Sequence, residues 1–281
     1  MTNSNFTWCS HLFANSGSGK TRLTLEGLRL SWGFYISCEG AREKPAGGSE
    51  DFLTAIRITK VMKDWGRSNS PGPPNSNKNV NVTDRAFAML ICARVFVLKR
   101  LLENLPMSTS GKLARQRWVL VQVLPPSANT GSDIFATVLL SLRFADTLSL
   151  QSLTLFMLKE ITKQVGDEIF PDKQLFAVVD EAQVAADYLT TSFRSFTTGT
   201  NMRPFLHKFL LENTCIQGVI LAGTGLSKKM VETSVSSRTA QCTNASSKPI
   251  VFVEVGRFTK DGGAHKDYIN NYLPLLVVLL T

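Results

Sequence analysis

The sequence has few cysteines for its 281 residues, no hydrophobic run of membrane-spanning length and no basic leader at its start. Its five cysteines are scattered and show no Cys/His spacing typical of a zinc site, so they are predicted to be reduced thiols. The apolar run at 273–280 contains a proline and falls well short of the roughly 20 residues that a spanning helix needs. Residues 1–5 show no features of a signal peptide. We therefore expect an intracellular protein of the cytoplasm or nucleus, with no membrane partner.

The composition is that of a globular protein. With 43% hydrophobic and 19% charged residues, the chain can bury a sizeable core, which excludes a disordered or collagen-like protein. Length alone allows one domain or two. The 31 Lys and Arg residues outnumber 22 Asp and Glu residues and give a formal charge of +9. This excess of positive charge suits a partner that carries phosphate.

Strand, turn and helix patterns alternate near both ends of the chain, as in βαβ units. They predict one parallel sheet within a single domain, 1–281, with strands near 6–13, 32–37, 175–180, 216–222 and 250–255. The first strand is followed by a glycine turn and by a helix over 21–30.

Residues 39–170 are predicted to form a large, partly helical insertion. It contains a flexible linker rich in proline, serine and asparagine at 68–81. Helices are expected over 52–65, 84–104, 133–143 and 149–165, the last two starting at N-cap residues Asp133 and Ser149, with a strand over 118–123.

The segment Ala-Asn-Ser-Gly-Ser-Gly-Lys-Thr at 14–21 fits the phosphate-binding loop, or Walker A motif, with alanine at the first glycine position. Such a loop turns successive backbone N–H groups and a helix N-terminus towards a polyphosphate. Lys20 would reach the β- and γ-phosphates, and the Thr21 hydroxyl would coordinate Mg²⁺. The alternative is a flexible Gly/Ser turn before an ordinary helix. The residues predicted to bind nucleotide are Asn15, Ser16, Gly17, Ser18, Gly19, Lys20, Thr21 and Arg22.

An apolar run that ends in Asp180 and Glu181 fits a Walker B strand. Asp180 would hold Mg²⁺, directly or through water, and Glu181 would polarise the attacking water. The alternative is a strand that ends in a solvated acidic turn. The predicted metal ligands are thus Thr21 and Asp180, and the predicted catalytic residues are Lys20, Glu181 and Thr224.

Thr224 follows the next apolar run, so its hydroxyl could sense the γ-phosphate or could instead cap the following helix. An arginine that stabilises the transferring phosphate could be Arg194, Arg203 or Arg257, and the sequence does not choose between them. The segment Thr-Lys-Asp-Gly at 259–262 misses the aspartate that guanine recognition needs. ATP is therefore favoured over GTP.

Basic residues are concentrated over 85–117, and across 84–117 only Asp84 and Glu103 oppose them. This basic patch predicts a possible contact with nucleic acid phosphates, and the alternative is a solvated helix face. Its members are Arg85, Arg94, Lys99, Arg100, Lys112, Arg115 and Arg117.

Taken together, these segments resemble the P-loop NTPase region of fungal Crinkler-like proteins. The resemblance rests on 16–22, 32–35, 117–126, 133–135, 178–183 and 221–227. It implies an additional-strand P-loop fold that binds ATP or another NTP with Mg²⁺. Two departures predict a truncated member: the family's N-terminal targeting module is absent, and the residues after Pro274 differ from the family's continuation.

The fold expected from the sequence is a three-layer α/β/α P-loop NTPase with its catalytic glutamate on the Walker B strand and a large helical insertion. The expected activity is hydrolysis of ATP with Mg²⁺ to drive a conformational switch. Two alternatives stay open. One is a nucleotide-dependent binding module that hydrolyses slowly or not at all, and the other is a small-molecule kinase.

Overall fold

Five parallel strands form one sheet in the computed structural model of the protein, ordered β2-β3-β4-β1-β5. The strands are β1 Trp8–Phe13, β2 Gly33–Ser37, β3 Leu175–Asp180, β4 Ile216–Gly223 and β5 Ile250–Phe252. The structure describes residues 8–13, 19–38, 47–61, 75–106, 108–126, 131–169, 175–187, 216–223 and 250–252. The predicted α/β class and its parallel sheet are confirmed.

The strand order separates β1 from β3, because β4 lies between them and pairs with both. β3 is an almost continuous apolar run, as expected of a strand covered on both faces. Since all the strands are parallel, their carboxyl ends lie at one edge of the sheet. Phe13, Ser37 and Asp180 therefore all end strands on the same side of the molecule.

Seven helices lie within the described residues. They are α1 Lys20–Leu30, α2 Asp51–Val61, α3 Asn75–Glu103, α4 Gly111–Val123, α5 Ile134–Ser141, α6 Thr147–Ile169 and α7 Ala182–Asp187. Five of them, α2 to α6, fall between β2 and β3, which are neighbouring strands of the sheet. The segment predicted as an insertion thus forms a five-helix insertion between two paired strands.

Helices cover both faces of the sheet because the apolar side chains of its strands alternate. Phe34 and Ile36 of β2 point into a large core that they share with α2, α3, α5 and α6. Tyr35 and Val178 face the other side, where Leu28 of α1 and residues of α4 complete a smaller core. The period-2 pattern of β2 and β3 thereby assigns Tyr35 and α1 to one side of the sheet.

Side chains of the five-helix insertion, instead of another strand, form hydrogen bonds with the outer edge of β2. Trp118 Nε1 donates to the carbonyl of Gly33 at 2.7 Å, and Gln122 Oε1 accepts the backbone N–H of Tyr35 at 2.8 Å. The carbonyl of Tyr35 accepts from Arg94 Nη1 at 2.6 Å. An exposed edge strand would offer these groups to other chains, so the helices remove a site of non-native pairing.

The strand predicted over 118–123 is wrong, because these residues complete α4. Ser110 caps this helix by accepting a hydrogen bond from the N–H of Leu113, and thirteen helical residues follow it. Trp118 is fully buried, with its ring edge-on to Phe34 at 6.3 Å and to Phe135 at 5.9 Å. A short apolar run does not distinguish a strand from a buried helix. Here the Ser110 cap and the thirteen-residue length of the segment identify a helix.

The predicted linker over 68–81 is wrong for its last seven residues, which belong to α3. Asn79, Val82 and Thr83 are buried, so packing overrides the weak helix propensity of this polar segment. The N-cap predicted at Ser149 is also wrong: Asp146 accepts its backbone N–H at 2.9 Å and α6 begins at Thr147. The N-cap predicted at Asp133 is confirmed, since its side chain accepts from the N–H of Ala136.

α3 begins at Asn75, nine residues before the predicted helix over 84–104, and the other predicted helices and strands agree with the structure to within a few residues wherever it describes them. Residues 6–7, 62–65, 68–74 and 253–255 of the predicted segments lie outside the described residues. In the described part of the chain, none of the helices combines the length and the apolar character needed to cross a membrane.

Candidate functional site

The site begins at the N-terminus of α1. Gly19 precedes the helix with φ 84°, a left-handed conformation that glycine adopts without steric cost. Gly19, the N-cap residue, has no side chain that could cap the helix, and the first turn of α1 contains no acidic residue. Lys20, the first helical residue, is 6% exposed. The first N–H groups of α1 and the positive end of its dipole therefore remain suited to an anion.

The first turn of α1 reaches the end of β3. Thr21 Oγ1 donates to Asp180 Oδ2 at 2.9 Å, although the two residues lie 159 positions apart. Asp180 is 3% exposed. The structure thus brings together the two residues that the sequence predicts as metal ligands.

A second hydroxyl meets the same oxygen. Tyr35 Oη donates to Asp180 Oδ2 at 2.7 Å. Tyr35 pairs in register with Val178, so its ring reaches diagonally along one face of the sheet to Asp180, two residues further on. Burial and then the charge of Asp180 raise the pKa of Tyr35 far above its usual value, so the phenol stays protonated and acts as a donor.

Glu181 occupies the turn between β3 and α7. Its φ of 52° is in the left-handed region, which residues other than glycine rarely adopt, and such strained residues cluster at functional sites. Its carboxylate accepts a hydrogen bond from Gln183 Nε2, and its N–H donates to Asp180 Oδ1 at 3.0 Å. Glu181 is only partly buried, so water can approach it.

The side chains present fit Mg²⁺ better than a metal that prefers an all-protein cage. Thr21 and Asp180 offer oxygen atoms side by side, and Glu181 follows Asp180 directly. The described residues contain no group of three or more His, Cys, Asp or Glu side chains that could hold a metal ion. Mg²⁺ retains several waters and is commonly held by one or two carboxylates together with substrate phosphates.

Several predicted site residues lie outside the described part of the chain. They are Asn15, Ser16, Gly17, Ser18 and Thr224, with the candidate arginines Arg194, Arg203 and Arg257. Of the predicted residues that are described, Thr21, Asp180 and Glu181 meet at the carboxyl edge of the sheet. Gly19, Lys20 and Arg22 lie beside Thr21 at the start of α1.

Arg94 does not belong to a surface patch, which corrects the prediction from charge clustering. It is fully buried and forms two hydrogen bonds with Asp51, Nε to Oδ2 at 2.7 Å and Nη2 to Oδ1 at 2.8 Å. Its guanidinium also lies 4.9 Å from the ring centre of Phe135. A bidentate pair of this kind holds α2 against α3 and cannot reach nucleic acid.

Other basic residues of the segment also have partners within the protein. Arg85 donates to the carbonyls of Ala145 and Arg143 in the turn before α6. Arg115 donates to the carbonyl of Arg29 at the end of α1. Binding of nucleic acid by the remaining members of the patch stays a prediction. Those members are Lys99, Arg100, Lys112 and Arg117.

Tyr35 is the site residue that reasoning from the sequence missed. The sequence showed it only as part of a short apolar strand, and its role depends on the register between β2 and β3. Side-chain alternation shows which residues of one strand share a face. It does not show that Tyr35 lies close to Asp180, because that depends on the register of β2 against β3.

Comparisons with family models, with curated proteins and with solved structures give no match to this chain.

Proposed function

We propose that this protein is a P-loop nucleoside triphosphatase that binds ATP with Mg²⁺ at the N-terminus of α1 and hydrolyses it. The observation that carries the proposal is the hydrogen bond from Thr21 to Asp180 at 2.9 Å. It joins the last residue of the Walker A pattern to the acidic residue of the Walker B pattern. Two motifs recognised separately in the sequence thus share one hydrogen bond.

The strand order supports the same proposal. In an additional-strand P-loop fold, one strand separates the strand before the phosphate-binding loop from the strand that carries the metal-binding aspartate. Here β4 lies between β1 and β3 in this way. Ligands of parallel α/β sheets bind beyond the carboxyl ends of the strands, where Asp180 and the start of α1 lie.

Four described residues of the site have a chemical role in this proposal. Lys20 and the first N–H groups of α1 would bind phosphate oxygens and offset their charge. Thr21 and Asp180 would hold Mg²⁺, which, when bound, neutralises charge on the β- and γ-phosphates. Glu181 would orient a water and accept its proton as the oxygen bonds to the γ-phosphorus and the bond to ADP breaks. The released energy would drive a conformational switch.

Binding and turnover of ATP by purified protein test the proposal. Lys20→Ala should abolish turnover and weaken binding, because it removes the cation that faces the phosphates. Glu181→Gln should retain binding and lower the rate by about 100-fold or more, since a positioned general base typically contributes that much. Lys112→Ala removes an exposed lysine of α4 and serves as the matched control, with unchanged binding and turnover.

Two outcomes would contradict the proposal in different ways. Failure of the wild-type protein to bind ATP in the presence of Mg²⁺ would exclude nucleotide binding at this site. Binding without phosphate release, or phosphate release that Glu181→Gln leaves unchanged, would exclude the hydrolytic role of Glu181 and favour a nucleotide-dependent binding module. Transfer of labelled phosphate to a small molecule in place of water would favour a kinase.

A further inference from the structure

Asp180 Oδ2 accepts hydrogen bonds from two hydroxyls that belong to different parts of the fold. One donor is Thr21 in α1, and the other is Tyr35 in β2. The second oxygen, Oδ1, accepts the N–H of Glu181 at 3.0 Å. These three donors fix both oxygens of the carboxylate and therefore its rotation about the bond to Cβ.

Tyr35 is itself held on the side remote from Asp180. Its N–H donates to Gln122 Oε1 at 2.8 Å, and its carbonyl accepts from Arg94 Nη1 at 2.6 Å. Arg94 is anchored in turn by its bidentate pair with Asp51. All of these side chains are buried, so few alternative positions are open to the ring of Tyr35.

We propose that Tyr35 is a positioning residue that holds the carboxylate of Asp180 in the orientation required to bind Mg²⁺. This inference rests on the proposed function. Residues that donate hydrogen bonds to metal ligands typically contribute roughly 10- to 100-fold to metal affinity, because they limit the orientations of the ligand. Through Gln122 and Arg94, the helices between β2 and β3 support this orientation from outside the site.

Tyr35→Phe removes the hydroxyl and retains the buried ring. The variant should require at least about 10-fold more Mg²⁺ to reach half-maximal binding of a non-hydrolysable ATP analogue. Its affinity for the analogue without divalent cation should equal that of the wild type. Binding of Mn²⁺ in the presence of the analogue, followed by electron paramagnetic resonance, should weaken by a similar factor. If Tyr35 contributed only to stability, Tyr35→Phe would lower the unfolding temperature and leave the Mg²⁺ requirement at its wild-type value.

Thr83→Val is the matched control. Thr83 is fully buried in α3, and its hydroxyl donates to the carbonyl of Asn79 at 2.7 Å, away from Asp180. This variant also loses one buried hydroxyl and should retain the wild-type Mg²⁺ requirement. If Tyr35→Phe also has the wild-type Mg²⁺ requirement, and wild-type protein binds the analogue with Mg²⁺, the positioning role is excluded and the proposed function stands. If wild-type protein does not bind, the proposed function itself fails.

A measurement on the native hydrogen bond does not depend on whether Tyr35→Phe folds. The chain has four tyrosines, so replacing Tyr188, Tyr268 and Tyr272 with phenylalanine leaves Tyr35 as the single site for 3-fluorotyrosine. Its ¹⁹F resonance should shift when Mg²⁺ is added to the protein bound to the ATP analogue. An unchanged resonance, at Mg²⁺ concentrations that alter analogue affinity, would overturn the proposal.

Discussion

At Gly33 the backbone of β2 passes so close to β3 that no side chain fits. A Cβ atom added there would lie 2.5 Å from the carbonyl oxygen of Phe176 and 2.9 Å from Leu28 Cδ2. Gly33→Ala should therefore lower the free energy of unfolding by about 3 kcal/mol, as overpacking of a core does, measured by urea denaturation. Gly27→Ala in α1 is the control, since nothing lies within 4 Å of its added Cβ. That variant should gain up to about 1 kcal/mol, and equal effects of the two changes would contradict the packing argument.

The buried pair of Arg94 and Asp51 is expected to contribute strongly to stability. Asp51→Asn keeps the shape of the side chain but leaves the Arg94 charge uncompensated in the core. The variant should lose about 3–5 kcal/mol of stability in thermal or urea unfolding. Glu103→Gln disrupts surface pairs with Lys99 and Arg100 and should cost less than about 1 kcal/mol. A small loss for Asp51→Asn would show that the pair is not buried as described.

Some residues of the site could be identified from the sequence and others could not. Thr21, Asp180 and Glu181 could be chosen because their motifs define the chemistry locally. The sequence favours a surface position for Arg94, because charged residues are seldom fully buried and its partner Asp51 lies 43 positions away in the chain. Tyr35 has no motif of its own, since its contact with Asp180 arises from strand register.

Among the elements, β2 depends on α4 for the hydrogen bonds of its outer edge. Gln122→Met retains the approximate size of the side chain but removes the acceptor of the Tyr35 N–H. It should lower stability by about 1–3 kcal/mol, the typical cost of a buried group without its partner. Gln151→Met in α6 changes a partly buried glutamine in the same way and should have little effect in the same urea titration. A Gln122→Met variant as stable as the wild type would contradict this account of the edge.

The start of α6 predicts a dependence on pH. Hydrogen bonds from the hydroxyl and N–H of Ser149 lower the pKa of Asp146 below its usual value. A carboxyl with a lowered pKa in the folded state stabilises the protein above its unfolded pKa, and this contribution disappears as the pH falls through the folded pKa. The stability difference between wild type and Asp146→Asn should therefore be constant above about pH 5 and shrink below about pH 4. A difference that is independent of pH over this range would contradict the cap.

Helices and strands could be predicted where their patterns are long or bounded by clear signals. The glycine before α1 and the Asp133 cap of α5 gave correct starts. The apolar second half of α4 has the pattern of a strand, and the Ser110 cap that identifies the helix lies eight residues before Trp118. The first turns of α3 have the composition of a linker, and their helical structure depends on the burial of Asn79 and Val82 by tertiary packing.

For the whole molecule, the alternation of strands and helices was sufficient to predict a parallel sheet. The order of its strands could not be predicted, because it depends on pairing between residues up to 240 positions apart, such as Ser10 with Ile220 and His11 with Val251. That order supplies the separation of β1 from β3 on which the proposed fold rests. The basic residues over 85–117, by contrast, do not form a single surface, since Arg85, Arg94 and Arg115 bind the protein's own backbone or core.

Thr21 and Asp180 are proposed to form one magnesium-dependent nucleotide site. A double-mutant cycle with Thr21→Val and Asp180→Asn tests it through calorimetric affinity for a non-hydrolysable ATP analogue at saturating Mg²⁺. We expect each single change to weaken binding by about 10-fold or more. The double change should weaken binding by much less than the product, with a coupling of at least about 1 kcal/mol. Losses that simply multiply, or wild-type affinity that does not depend on Mg²⁺, would contradict the claim.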